Sequence, residues 1–101
     1  MTERRVRFTE GFFERLEVLL PEERGANGTP SVTDFIAFEV PAIRDRLAVD
    51  ALGVTLPIGS PAVRVSVTSG VLLSRIAVYV RVDGEDVEVF DLDLDLDLEL
   101  S

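Results

Sequence analysis

The sequence predicts an α+β fold of order β-α-α-β-β-β, with an antiparallel-dominated four-stranded sheet and two helices packed on one face. Three observations carry this expectation. A short period-two stretch opens the chain, two amphipathic stretches of helical period follow, and the segment from Ala62 onward alternates like strand. Two neighbouring amphipathic helices cannot leave their apolar stripes in water, and a valine-rich sheet face is the natural surface to receive them. The 101 residues suit one domain spanning 1–101. A chain of this size buries about 65% of its unfolded surface without needing a disulfide or a metal.

Each element has its own local signal. In RRVRFT, Val6 and Phe8 share one side and Arg5 and Arg7 the other, which is a short strand. In TEGFFERLEVLLPEER, Thr9 is placed to cap a helix and Glu10 suits its first turn. Phe12, Phe13, Leu16, Leu19 and Leu20 then form the apolar stripe, and Pro21 ends the helix or starts a fresh turn. RGANGTPS is a loop by its Gly, Asn and Pro content. The second helical region is SVTDFIAFEVPAIRDRLAVD, capped by Ser31 or Thr33, with Ile36, Val40, Ile43 and Leu47 as its core stripe. Pro41 lies inside this pattern and predicts a kink or two abutting helices. ALGVTLPIGSP is a connector.

Three strands follow. In AVRVSVTSG, Val63, Val65 and Val67 alternate with Arg64, Ser66 and Thr68. In LSRIAVYVRVDG, Ile76, Val78, Val80 and Val82 oppose Arg75, Ala77, Tyr79 and Arg81. Asp83-Gly84 marks a hairpin into DVEVFDLDLDL. The valine faces are expected under the helices, and Arg, Ser, Thr, Tyr and Asp on the open face.

Composition excludes more than it suggests. Hydrophobic residues make up 47%, which argues for a folded chain. The sequence contains no Cys, His, Lys or Trp. That removes thiol catalysis, Cys/His zinc sites, Ser-His-Asp triads, lysine Schiff bases and Walker-type phosphate loops. The net charge of −9 disfavours direct binding to nucleic acid or to an anionic membrane. Met1–Arg7 is charged and shows no leader pattern, and no apolar run reaches membrane-spanning length, so a cytoplasmic location is expected. No cofactor is implied.

The element order resembles the RelE/ParE toxin superfamily, whose members are small domains with a β-α-α-β-β-β core. The local likeness is best in VRVSVTSGVLLSRIAVYVRVDGEDVEVFDL, where RIAVYV supplies Arg75 and Tyr79 and the preceding strand supplies Arg64. The resemblance implies either a toxin of a type II toxin–antitoxin system or a relative of one. RelE-like toxins are ribosome-dependent mRNA endoribonucleases and ParE-like toxins inhibit gyrase; both are commonly neutralised by a wrapping antitoxin. On the nuclease branch, Arg64, Arg75, Tyr79 and Arg81 would be the catalytic candidates, with arginines holding the scissile phosphate and Tyr79 moving a proton. This chain lacks the further Lys and His residues of such sites, and carries Asp91, Asp93, Asp95 and Asp97 instead. The expectation is therefore a RelE/ParE-like protein-binding domain without ribonuclease activity.

The closing run DLDLDLDLEL has two readings, a metal loop and a strand. Asp91, Asp93 and Asp95 have calcium-loop spacing, but Leu96 stands where the loop needs Gly, so no metal is expected. As a strand, its leucines face one side and its acids the other, beside Arg75 and Arg81. Val87 and Val89 share the parity of the acids, while Phe90 shares that of the leucines. Either a bulge shifts the phase, or this part is covered on both sides. In the second case Val87, Val89 and Phe90 are the expected partner-binding residues, for a second copy in a homodimer or for an antitoxin-like peptide.

Overall fold

A computed structural model describes residues 3–25, 29–73 and 75–95. The elements are β1 (Arg5–Phe8), α1 (Glu10–Leu19), α2 (Val32–Asp34), a π-turn (Phe35–Glu39), α3 (Val40–Asp50), β2 (Leu56–Ile58), β3 (Ser60–Thr68), β4 (Arg75–Asp83) and β5 (Asp86–Asp95). The fold is α+β, but the sheet has five strands and is mixed. Its order is β1-β5-β4-β3-β2, with β1 parallel to β5 and the other pairs antiparallel. The additional strand, β2, lies in the segment expected to be a connector. It is too short to show a period, and Pro57 at its centre is tolerated because β2 is an edge. Among the described residues, no helix is long and apolar enough to cross a membrane.

The helix starts form as their sequences dictate. The Phe12 N–H donates to Thr9 Oγ1 at 3.2 Å, capping α1. Phe12, Leu16 and Leu20 are buried, and Phe13 and Leu19 pack beside them. Ser31 and Asp34 close a reciprocal capping box at α2. Arg24 grips Asp34 with two bonds of 3.0 Å. That fork, with the Ser31 amide, holds the Asp34 carboxyl below its ordinary value, at about 2.

The second helical region is continuous, and the π-turn alters its phase. The Val40 N–H donates to the Phe35 carbonyl, one residue further back than in an α-helix. The extra residue rotates the preceding turn. Phe35 therefore enters the core, whereas Ile36, expected there, is 43% exposed. Pro41 has no N–H to donate, and the widened turn directly before it takes the place of the expected kink. Beyond it, Val40, Ile43 and Leu47 are buried as expected, joined by Ala51.

On the sheet, β4 buries Ile76, Val78 and Val80, and β5 buries Val87, Val89 and Leu92. The β5 register resolves the parity conflict. Tyr79 opposes Asp91 and Val80 opposes Val89, which leaves Phe90 as an extra residue in a bulge. Val87 and Val89 therefore belong to the core, on the same side as Leu92 and Leu94. The turn into β5 uses Gly84 at φ 61°, the conformation that glycine adopts without strain at the first centre of a type II′ turn.

β3 departs from expectation. Residues directly opposite in antiparallel strands share a face. Arg64 opposes Val80 and Ser66 opposes Val78, so both face the helices. Val63 opposes Arg81, Val65 opposes Tyr79 and Val67 opposes Ala77, so the β3 valines lie on the open face. The physical reason is on the helix side. Arg64 Nε donates to Thr55 Oγ1 at 2.7 Å, and Thr55 Oγ1 donates to the Ala51 carbonyl at 2.6 Å. Arg64 Nη2 also reaches the carbonyl of Thr55 at 3.2 Å. Arg64 thus ties β3 to the segment that follows α3, with Thr55 relaying to the Ala51 carbonyl at the helix cap, and this fixes which side of β3 turns inward.

Candidate functional site

The open face of the sheet is built in columns. β1 contributes Arg5 and Arg7, β5 contributes Asp86, Glu88, Asp91 and Asp93, and β4 contributes Arg75, Ala77, Tyr79 and Arg81. β3 and β2 add Val63, Val65, Val67 and Leu56. From β1 to β2 the surface therefore runs basic, acidic, basic, apolar. Arg5 pairs with Asp86 at 2.9 Å. Glu88 is shared between Arg7 at 2.6 Å and Arg81 at 2.7 Å, one on each neighbouring strand. These pairs are largely exposed, so they define orientation more than stability.

Phe90, the bulge residue, lies against this lattice. The Arg81 guanidinium sits 5.0 Å from its ring centroid, within cation–π range. Arg81 is thus held by a carboxylate and by an aromatic ring. Arg75 is exposed at the start of β4, and Tyr79 is half-buried opposite Asp91. A depression of about 330 Å³ beside Arg75 is lined by Ala77, Asp93 and Leu94. It contains as much negative as positive charge.

The four catalytic candidates are therefore divided. Arg75, Tyr79 and Arg81 share the open face, while Arg64 lies on the opposite face and is bonded to Thr55 in the segment after α3. Of the three partner-binding candidates, Val87 and Val89 are buried in the core and only Phe90 reaches the surface. Of the acidic ladder, Asp91 and Asp93 lie on the open face as expected. Asp97 and the alternation from Leu96 onward lie outside the described residues. Among the described residues, no group of acidic side chains could hold a metal ion.

Glu39 was not singled out by the sequence. It ends the π-turn and is 1% exposed. Its carboxylate accepts the backbone N–H groups of Val71, Leu72 and Leu73 at 2.8, 2.7 and 3.3 Å. Three consecutive amides converging on one carboxylate form an anion nest, and here the anion is internal. Gly70 closes against it: a Cβ there would come within 2.6 Å of Glu39 Oε2 and 2.5 Å of Ile76 Cδ1. A signal was available, because Phe35, Glu39 and Ile43 are spaced like one helical stripe and Glu39 is its only charged member.

No family model matches the chain, and neither the curated proteins nor the solved structures compared with it give a match.

Proposed function

We propose that this chain is a RelE/ParE-like small protein-binding domain without ribonuclease activity. The observation that carries the reading is the orientation of β3. It turns Arg64 and Ser66 toward the helices and leaves Val67 59% exposed, beside Leu56 at 71%. Solubility alone favours the reverse arrangement. An apolar strip at a sheet edge, bordered by the charged column of β4, has the composition of a protein interface, an apolar patch with a polar margin. The order of strand, two helical regions and three long antiparallel strands supports the family reading.

The cation geometry supports the absence of nuclease chemistry. Stabilising a phosphoryl transition state needs donors converging on one point. Arg64 lies across the sheet from the others, and Arg81 is already engaged by Glu88. Asp91 and Asp93 add negative charge where an RNA phosphate would approach. The partner is an antitoxin-like peptide or a second copy.

The experiment is co-expression with the protein encoded by the adjoining gene, followed by size exclusion with light scattering. A complex, or a homodimer of the chain alone, is expected to dissociate on Val67→Asp and to survive Arg75→Ala. Association that is unchanged in Val67→Asp would remove the strip as the interface. A second reading rests on Arg75, Tyr79 and Arg81 sharing one face: a toxin acting on the ribosome. Growth arrest without RNA cleavage would instead favour gyrase inhibition.

A further inference from the structure

The two halves of β5 have different neighbours on their outer edge. Asp86–Val89 is paired with β1, in the register Arg5↔Asp86, Val6↔Val87, Arg7↔Glu88 and Phe8↔Val89. The chain then leaves the sheet, with the Thr9 N–H on the Val89 carbonyl at 3.0 Å, and continues as α1. From Phe90 to Asp95 no described strand lies beside this edge.

One side chain occupies the position instead. Arg15 Nε donates to the Leu92 carbonyl at 3.4 Å, and its Nη2 lies 3.2 Å from Asp93 Oδ1. The same guanidinium lies 3.9 Å from Asp91 Oδ1. The Leu92 N–H is taken by the Asp91 carboxylate at 2.9 Å. Both backbone groups of Leu92 therefore point outward, and by strand alternation so do those of Leu94, which have no partner among the described residues. Exposed strand edges of this kind are normally covered or charged against unwanted pairing.

We propose that the outer edge of β5 from Phe90 to Asp95 is a β-augmentation site for a peptide strand that alternates basic and apolar residues, and that Arg15 is its built-in placeholder. This rests on the reading of the chain as a protein-binding domain and gives one of its surfaces a partner chemistry. Arg15 makes the two contacts such a strand would make: a donor on the outward carbonyl and a cation on the acids. The chain's own β1 supplies the precedent, since Arg5-Val6-Arg7-Phe8 pairs with Asp86-Val87-Glu88-Val89. Leu92-Asp93-Leu94 repeats that acid–apolar alternation one step further along the same edge. A second copy fits poorly, because antiparallel self-pairing about Leu92 sets Asp91 opposite the other copy's Asp93, and like charges across strands repel. Val18, on Arg15's side of α1, is 74% exposed and offers an apolar wall to an incoming strand.

The test uses the full chain and a blocked hexapeptide alternating Arg and Val, followed by fluorescence anisotropy and by amide hydrogen exchange. Arg15→Ala is expected to bind the peptide about tenfold more tightly than the wild type and to gain exchange protection at Leu94. Arg15→Met, which keeps the apolar stem, is expected to behave alike and guards against a folding defect. Adding Asp93→Asn should weaken binding about threefold, and a Glu/Val peptide should not bind. Equal affinity for wild type and both Arg15 variants, binding with no protection at Leu94, or self-association of Arg15→Ala in place of peptide binding would each overturn the proposal. None of these readouts involves Val67 or RNA cleavage, so this proposal can fail while the wider reading stands.

Discussion

β3 and β4 are neighbours with almost the same text, Ala62-Val63-Arg64-Val65-Ser66-Val67 and Ala77-Val78-Tyr79-Val80-Arg81-Val82, yet they face opposite ways. β4 turns its valines under the helices, where Val78 and Val80 are buried. β3 turns its valines to the open face and its polar residues inward. The helices sit chiefly above β5 and β1, so the inner side of β3 is closed by hydrogen bonds rather than by an apolar roof. Arg64 seals it at one end through Thr55. The loop after Thr68, pinned by Glu39, lies at the other. Alternation identifies a strand, and a third element decides which side is inside.

The largest effect that would break this comparison comes from placing one charge in each strand. Val80→Asp leaves an unpaired carboxylate in the core and is expected to cost about 3–5 kcal/mol. Val65→Asp, on the open face of β3, is expected to cost less than about 1 kcal/mol. Urea denaturation of the two variants measures the contrast directly, and similar losses would mean that β3 is inverted.

Glu39→Ala comes next. It leaves the amides of Val71, Leu72 and Leu73 without their acceptor in a closed site, an expected loss of about 3 kcal/mol. Hydrogen exchange should show those amides opening before the amides of β4. The two arginines provide a finer comparison. Arg64→Ala strands the hydrogen-bond chain at the end of α3 and is expected to cost about 1–3 kcal/mol. Arg81→Ala, on exposed ion pairs, is expected to cost under about 1 kcal/mol. Equal chemical-denaturation midpoints would deny Arg64 its inner role.

The smallest effect is a pH dependence. The Arg24 fork lowers the folded-state pKa of Asp34 to about 2, below the ordinary carboxylate value. A lowered acid contributes its full stabilisation above its unfolded pKa of about 4 and loses it as the pH falls toward 2. Asp34→Asn should flatten that part of the acid limb in a thermal-melt series, and an unchanged limb would show that the fork does not form in solution.

What was legible in the sequence was local. Thr9 and Ser31 are short polar side chains next to apolar periods, and both cap helices. Asp83-Gly84 marked the hairpin, and the valine alternation of β4 identified its buried side. Two of the misplacements come from one residue breaking a period. The π-turn moves Phe35 into the place expected for Ile36, and the Phe90 bulge returns Val87 and Val89 to the core. β2 is too short to have a period at all. For the candidate site, Arg75, Tyr79 and Arg81 could be grouped by parity within one strand. The separation of Arg64 from them depends on the β3–β4 register and on Thr55, neither of which alternation encodes.

Ribosome-dependent cleavage is the decisive measurement for the divided arginines. Purified protein is added to a translating system, and messenger RNA is mapped by primer extension, with Arg75→Ala and Tyr79→Phe in parallel. The wild type is expected to cleave no more than either variant, because Arg64 lies across the sheet from Arg75 and Arg81, and Arg81 is already paired with Glu88. Codon-phased cleavage by the wild type that is lost in Arg75→Ala would contradict it.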